Sequence, residues 1–169
     1  QNNSDRRGQP APDGFAITSY AYDEQNNLLR ETIGGAAPAL HHITRHRYDA
    51  SDQRIETIRP LGNNTRFAYD ERQLLTSTTR APSSPMASAT RTTYDGDGRT
   101  IATVDGRGNV TRLAYDAFDR VISTTDPFGH VHQAEYDKRN NPRVTRSFER
   151  TANGSYALRK RSECEYDER

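Results

Sequence analysis

The sequence has few of the residues that build an ordinary hydrophobic core or a cross-linked small domain. There is no Trp, one Cys, and only 31% of its 169 residues are hydrophobic. Leu, Ile, Val and Phe together fill 25 of the 169 positions. This share is below the ~20% under which a chain tends towards disorder. The single cysteine, Cys164, excludes an internal disulfide framework. We therefore do not expect one thick core.

Further absences exclude other classes of protein. No apolar run approaches the ~18 residues that a membrane helix requires, and the N-terminus has no apolar segment typical of a signal peptide. A balance of 24 basic and 23 acidic residues gives a net charge of +1, which argues against a nucleic-acid footprint. We expect no nucleic-acid partner and no membrane insertion by this segment. Disordered chains typically combine few hydrophobic residues with a high net charge, and this chain does not have a high net charge.

What the sequence does contain is a repeated dipeptide. Seven of the nine tyrosines precede an aspartate, with spacings of 26, 21, 25, 21, 21 and 30 residues. The pairs are Tyr22-Asp23, Tyr48-Asp49, Tyr69-Asp70, Tyr94-Asp95, Tyr115-Asp116, Tyr136-Asp137 and Tyr166-Asp167. A period of 20–50 residues is typical of repeat arrays. The basic period is 21 residues, with insertions of four, five and nine.

The residues around each dipeptide predict two turns and two strands in every unit. Four positions after the tyrosine stand residues that tolerate a positive φ: Asn26, Asp52, Gly98, Asp119 and Asn140. Seven positions before it stand Gly62, Gly108 and Gly129. Between these turns, Thr65, Phe67 and Tyr69 alternate with polar or small residues, which indicates a strand. Each unit is therefore predicted to be a β-hairpin that stacks on its neighbours.

Three departures from regularity carry expectations of their own. Pro142 interrupts the strand after Asn140-Asn141, which makes that hairpin doubtful. The Tyr69 unit lacks a turn residue before Leu74-Leu75. The insertions have loop compositions at residues 34–38 and 81–85, and the largest lies around residues 148–160 with a turn at residues 151–154.

The pattern G-x6-Y-D-x2-[GND]-R followed by two hydrophobic residues, with D-P-x-G before the next unit, resembles the RHS/YD-repeat family. Its fullest match runs from Gly108 through Tyr115-Asp116 and Asp119-Arg120 to Asp126-Pro127-Phe128-Gly129, preceded by Gly98-Arg99. Asn27 and Gln53 replace the usual Arg. The resemblance covers residues 14–169, a truncated array of about seven hairpins, and residues 1–13 are predicted to be a linker or the end of a preceding repeat.

The resemblance implies an all-β fold in which antiparallel hairpins form one continuous, curved or spiralling sheet, part of a hollow shell. It further implies a structural, non-catalytic role: enclosing a C-terminal toxin or effector domain of the same polypeptide for secreted or cell-surface delivery. The implied partners are the rest of that polypeptide, the enclosed toxin, and subunits of a secretion system or toxin complex. No cofactor is implied.

The search for chemistry yields structural residues rather than an active site. Seven equivalent aspartates cannot each have the distinct environment that catalysis requires, and we expect their carboxylates to bond turn N–H groups. The histidines at 41, 42, 46, 130 and 132 lack the partners of a zinc site. We predict no catalytic, cofactor or metal residue. The motif residues are the seven Tyr-Asp pairs together with Gly98, Arg99, Gly108, Arg120 and Gly129.

Two other functions remain open. A cell-surface or carbohydrate-binding array would use exposed aromatic residues outside the regular stripe, for which Phe118, Phe128, Phe148 and Tyr156 are the candidates. The absence of Trp weakens a sugar-binding platform. A hydrolase acting through the histidines is the poorer alternative.

Overall fold

The computed structural model describes residues 17–34 and 41–166. The chain divides into two compact units, Gln1–Ala89 and Thr90–Arg169. Among the described residues, no helix is long and apolar enough to cross a membrane. Three features named above lie outside the described residues: the linker predicted for residues 1–13, Asp167 of the last dipeptide, and most of the loop predicted at residues 34–38.

The first unit is an antiparallel sheet whose strands follow one another in chain order. Its six strands are β1 (Ile17–Tyr22), β2 (Leu28–Gly34), β3 (His42–Tyr48), β4 (Arg54–Ile58), β5 (Asn64–Tyr69) and β6 (Leu75–Arg80). Each described pairing in this unit joins strands that are neighbours in sequence, so each hairpin adds two strands to the same growing sheet. The predicted fold class, all-β with stacked antiparallel hairpins, is confirmed here.

The second unit repeats this arrangement. It contains most of β7 (Ser88–Tyr94), then β8 (Thr100–Val104), β9 (Val110–Tyr115), β10 (Val121–Thr125), β11 (Val131–Tyr136), β12 (Pro142–Arg150) and β13 (Tyr156–Glu163). Neighbouring strands are again antiparallel and in chain order. The 21-residue period therefore corresponds to two strands and two turns, as the sequence predicts.

Most hairpin turns share one backbone geometry. In the turns after the first six Tyr-Asp pairs, the aspartate N–H donates to the carbonyl four residues later at 2.9–3.1 Å. The residue three positions after the aspartate has a positive φ and donates back to the aspartate carbonyl at 2.9–3.3 Å. This is a three-residue loop with a left-handed third residue, a common hairpin connection. The ladder register shifts at each of these tyrosines, as expected of the associated bulge.

The sheets are thin, and the described residues form no thick core. Within the described part of the chain, Val144 is the one buried hydrophobic residue, 6% exposed. The predicted alternation is present: in β5, Thr65 is buried and Phe67 and Tyr69 are half-buried, whereas Arg66 and Ala68 are exposed. Stability must therefore come from ladder hydrogen bonds and from contacts between neighbouring hairpins.

Three sequence-based expectations need correction. The hairpin at Pro142 is formed, because proline is the first residue of β12 and a first strand position does not need its N–H in the ladder. The insertion around residues 148–160 is not a long loop: it lengthens β12 and β13 to 9 and 8 residues around a tight turn at residues 151–155. Cys164 stands two residues before Tyr166, as Phe67 and Leu113 do before their tyrosines, and is therefore expected within a strand. It lies just after β13, although its N–H still donates to the Arg143 carbonyl.

The turn after Tyr69 also differs from expectation. It has the same length and hydrogen bonds as the others, because Gln73 occupies the left-handed position at φ 66°. Left-handed backbone costs a non-glycine residue ~1–2 kcal/mol. The hairpin geometry is thus imposed at a residue that does not favour it.

Candidate functional site

The hydroxyl groups of the repeated tyrosines join one repeat to the one before it. Five of these tyrosines each donate to the backbone carbonyl six positions after the preceding Tyr-Asp tyrosine, at 2.8–3.2 Å. The donor and acceptor residues are Tyr48 and Leu28, Tyr69 and Arg54, Tyr115 and Thr100, Tyr136 and Val121, and Tyr166 and Pro142. The same hydrogen bond therefore recurs in five repeats, although the type of the accepting residue changes.

Each described tyrosine of the motif, except the last, ends a strand. Tyr22, Tyr48 and Tyr69 end β1, β3 and β5, and Tyr94, Tyr115 and Tyr136 end β7, β9 and β11. A residue at this position can place its ring against the sheet while its hydroxyl reaches the neighbouring hairpin. The backbone carbonyl supplies the acceptor, so the bond does not depend on which side chain the accepting residue carries.

The aspartates of the motif organise the turns that follow. One carboxylate oxygen, Oδ1, accepts the N–H groups two and four residues later at 2.7–3.1 Å. This holds for Asp23, Asp49, Asp70, Asp95, Asp116 and Asp137. Asp105 and Asp126 make the same bonds in the alternate turns. The carboxylates therefore satisfy N–H groups that the short loop leaves without a ladder partner.

These hydrogen bonds favour the ionised carboxylate. The side-chain bond from Arg120 holds the pKa of Asp116 below its usual value, and the backbone N–H groups of Phe118 and Arg120 act in the same direction. The Asn109 amide lowers the pKa of Asp105 in the same way. At Asp137 the largest influence is the backbone N–H of Asn141. These aspartates are therefore charged acceptors suited to holding a turn at neutral pH.

In four of the repeats, the residue five positions after the tyrosine joins successive turns. The Arg99 guanidinium bonds Asp95 in its own turn at 2.7 Å and Asp119 in the next at 2.5 Å. In the following turn, Arg120 bonds Asp116 at 2.6 Å and Asn140 at 3.1 Å. Shorter side chains do the same in the first unit: Asn27 donates to Asp52 and Gln53 to the Gln73 carbonyl. Amides therefore replace the arginine of the motif without losing the connection.

Arginine at this position also covers the next tyrosine. The Arg99 guanidinium lies 5.2 Å from the centre of the Tyr115 ring, and that of Arg120 lies 4.8 Å from the Tyr136 ring. Such cation–π contacts contribute ~0.5–1 kcal/mol at exposed sites. Ring, hydroxyl, carboxylate and guanidinium thus form one repeating connection, which we call the Tyr-Asp junction.

The glycines of the motif occupy the left-handed turn position. Gly98, Gly108 and Gly129 have φ of 81°, 85° and 84°. Around Gly108 an added Cβ would meet no atom within 4 Å, so the requirement there is for backbone conformation rather than for space.

Two of the histidines, His46 and His132, lie beside hydroxyl groups of the neighbouring strand. Nδ1 of His46 lies 3.1 Å from Thr57 Oγ1, and Nδ1 of His132 lies 3.0 Å from Ser147 Oγ. Activation of a hydroxyl by histidine requires a third group that orients the ring, and no carboxylate bonds either ring within residues 17–34 and 41–166. The same residues hold no group of three or more potential metal ligands.

The aromatic residues considered for a sugar platform do not cluster. Phe118 and Phe128 are 76% and 77% exposed, but they lie in the turns at opposite ends of β10. A five-residue strand is about 17 Å long, so the two rings cannot contact one sugar unit. Phe148 is half-buried within β12 and Tyr156 begins β13. This arrangement weighs against a single aromatic platform.

The repeat matches a known family model. The model described as RHS Repeat matches residues 42–82 and 94–131. These two segments belong to the RHS-repeat family. The matched segments contain the described junctions around Tyr48, Tyr69 and Tyr115, together with Gly98, Arg99, Gly108 and Arg120. No curated protein matches the chain.

Solved structures share the fold. The structure of TcdB2-TccC3 without its hypervariable C-terminal region matches 78% of this chain with a TM-score of 0.63 and 17% identity. The structures of TcdB2-TccC3-TEV and TcdB2-TccC3-Cdc42 each match 90% of it with a TM-score of 0.54 and 13% identity. The chain spans only 8–10% of the length of those chains.

Proposed function

We propose that this RHS-repeat chain is a wall segment of a shell that encloses a C-terminal toxin or effector domain of the same polypeptide until delivery. The observation that carries the proposal is the Tyr-Asp junction, which recurs from hairpin to hairpin without a thick core. A structure of this kind can be extended by adding units, because each unit needs contacts only with its neighbours. Extension without a core is what an enclosing wall requires.

The role is structural and non-catalytic. The charged groups of the junctions are used in turns and in links between turns, and no carboxylate of a described residue bonds the rings of His46 and His132. The similarity to TcdB2-TccC3 supports a wall by its fold. The partners that follow from the proposal are the rest of the polypeptide, the enclosed domain and the subunits of a delivery complex. The place of action is then outside the producing cell, after secretion or surface delivery.

Protease protection of the natural full-length polypeptide tests enclosure. We expect its C-terminal region to resist a protease that digests the same region expressed alone, and to become sensitive when the wall is opened by mild denaturant. The matched control is the same C-terminal region joined to an unrelated folded domain. Equal digestion rates for the region in the natural polypeptide and in the control would refute enclosure.

A further inference from the structure

Four arginines lie on the face of the first unit that is opposite to the Phe67 and Tyr69 side chains. Arg30 of β2 is directly opposite Arg45 of β3 in the ladder. Two residues later in β3, Arg47 is opposite Glu56 of β4, which is opposite Arg66 of β5. All four arginines are exposed. We call these residues, Arg30, Arg45, Arg47 and Arg66, the arginine face.

One acidic residue balances this face. Glu56 is 6% exposed, and its two carboxylate oxygens accept from Arg47 Nη1 and Arg66 Nε, both at 3.1 Å. The remaining members of the two ladder rows are uncharged: Ala21, Ile58, Asn64 and Thr79. Arg30 and Arg45 form no hydrogen bond or ion pair through their side chains with any described residue. Like charges directly opposite in a ladder repel each other, and no carboxylate of a described residue bonds either member of this pair.

The second unit contains another pair of arginines that are directly opposite each other in the ladder. Arg146 of β12 is directly opposite Arg161 of β13. There, Arg146 bonds Glu135 and Arg161 bonds Glu163. An arginine pair with a carboxylate for each member therefore occurs in this same sheet type. The pair formed by Arg30 and Arg45 differs in having no carboxylate of its own.

We propose that the arginine face binds an extended acidic peptide segment, whose carboxylates occupy the places that glutamates fill beside the second pair. Guanidinium groups bind carboxylates with paired, directional hydrogen bonds. Alternate side chains of an extended peptide are about 6.8 Å apart, which matches the separation of Arg45 and Arg47 along one strand. A peptide with an acidic residue at every second position can therefore bond Arg45 with one carboxylate and, with the next, the N–H groups of Arg47 that Glu56 does not use.

A peptide fits the charge pattern better than a nucleic acid does. The positive charge is confined to four residues around one glutamate, and the chain as a whole has a net charge of +1. Nucleic-acid binding relies on a larger basic footprint that neutralises many phosphates. The proposal does not depend on the enclosure of a toxin, because it concerns a surface of the hairpin sheet itself.

Binding of a fluorescein-labelled (Glu-Thr)5 peptide to the 169-residue chain, followed by anisotropy at low salt, tests the proposal. We expect saturable binding that the double variant Arg30→Gln, Arg45→Gln weakens about tenfold or more, as loss of charge-assisted bonds predicts. The matched control, Arg107→Gln with Arg139→Gln, removes the same charge from two exposed turn residues of the second unit. It should change the affinity less than about twofold, because screened distant charges contribute little.

A second variant separates binding from folding. Arg45→Glu places opposite charges across the β2–β3 ladder, so it should raise the unfolding temperature while abolishing peptide binding. Absence of saturable binding by the native chain would overturn the proposal. Equal weakening by the two double variants would also overturn it, as would tighter binding of a single-stranded oligonucleotide of equal charge at the same arginines.

Discussion

Removing one hydroxyl tests the Tyr-Asp junction with little change in shape. In Tyr115→Phe the ring remains half-buried and the Arg99 guanidinium can still cover it, whereas the 2.8 Å bond to the Thr100 carbonyl is lost. A hydrogen bond of this type contributes about 1 kcal/mol to the free energy of unfolding. For a chain of this length, that corresponds to a fall of roughly 2–4 °C in the midpoint of thermal unfolding.

A larger truncation gives a second value on the same scale. Tyr115→Ala also removes the ring, and complete loss of a fully buried aromatic side chain costs about 3–5 kcal/mol. Because the Tyr115 ring is half-buried, we expect roughly half of that for the ring and a total cost near 3 kcal/mol. The two variants should therefore rank in the order native, Phe, Ala.

The matched control is Tyr156→Phe. Tyr156 is 55% exposed, and its hydroxyl makes no hydrogen bond with a described residue, so the substitution should leave stability within about 0.5 kcal/mol of the native value. Thermal unfolding followed by circular dichroism measures all three variants, and hydrogen exchange locates the loss in β8 and β9. If Tyr115→Phe and Tyr156→Phe unfold at the same temperature, the hydroxyl bond does not support the fold.

Other predictions concern the turns and pH. Gly108→Ala should cost about 1 kcal/mol for the left-handed backbone, whereas Gly96→Ala, which has no positive φ and meets no atom within 4 Å, should not destabilise; urea unfolding compares them. The Asp116 pKa is lowered, so its stabilisation is complete above the unfolded value near 3.9 and lost as the pH falls through the folded value. In the Asp116→Asn variant the unfolding midpoint should therefore fall less steeply below about pH 4 than in the native chain. An equally steep fall in both would contradict the role of Arg120. Burial first, then nearby arginine charge, lowers the pKa of His46, so stability should fall as the pH drops from about 6.5 towards the folded value; His46→Gln should remove that step in a series of melts from pH 8 to 5.

The sequence alone predicts the period, the strands and most turns, because each has a local signal. A positive φ favours Gly, Asn or Asp, and these residues recur in phase with the dipeptide. Gln73 has the same backbone conformation without such a signal, so composition alone cannot identify that turn as complete. Pro142 shows the opposite error, in which a residue that breaks strand interiors is acceptable at a strand start.

Contacts between repeats are harder to predict, because they depend on register. A tyrosine at seven equivalent positions, with no phenylalanine among them, could have indicated a required hydroxyl. Its acceptor is a backbone carbonyl, which leaves no trace in the sequence. The pairing of Arg30 with Arg45 likewise cannot be predicted from composition. It depends on the strand register, because a shift of the register by one residue would move either side chain to the other face of the sheet.

Electron cryo-microscopy of the natural full-length polypeptide tests the central claim most directly. The account predicts that residues 14–169 form part of a closed wall of hairpins, with Tyr-Asp junctions between neighbours and density for the C-terminal domain inside. An open array with its C-terminal domain outside and in solvent would contradict it.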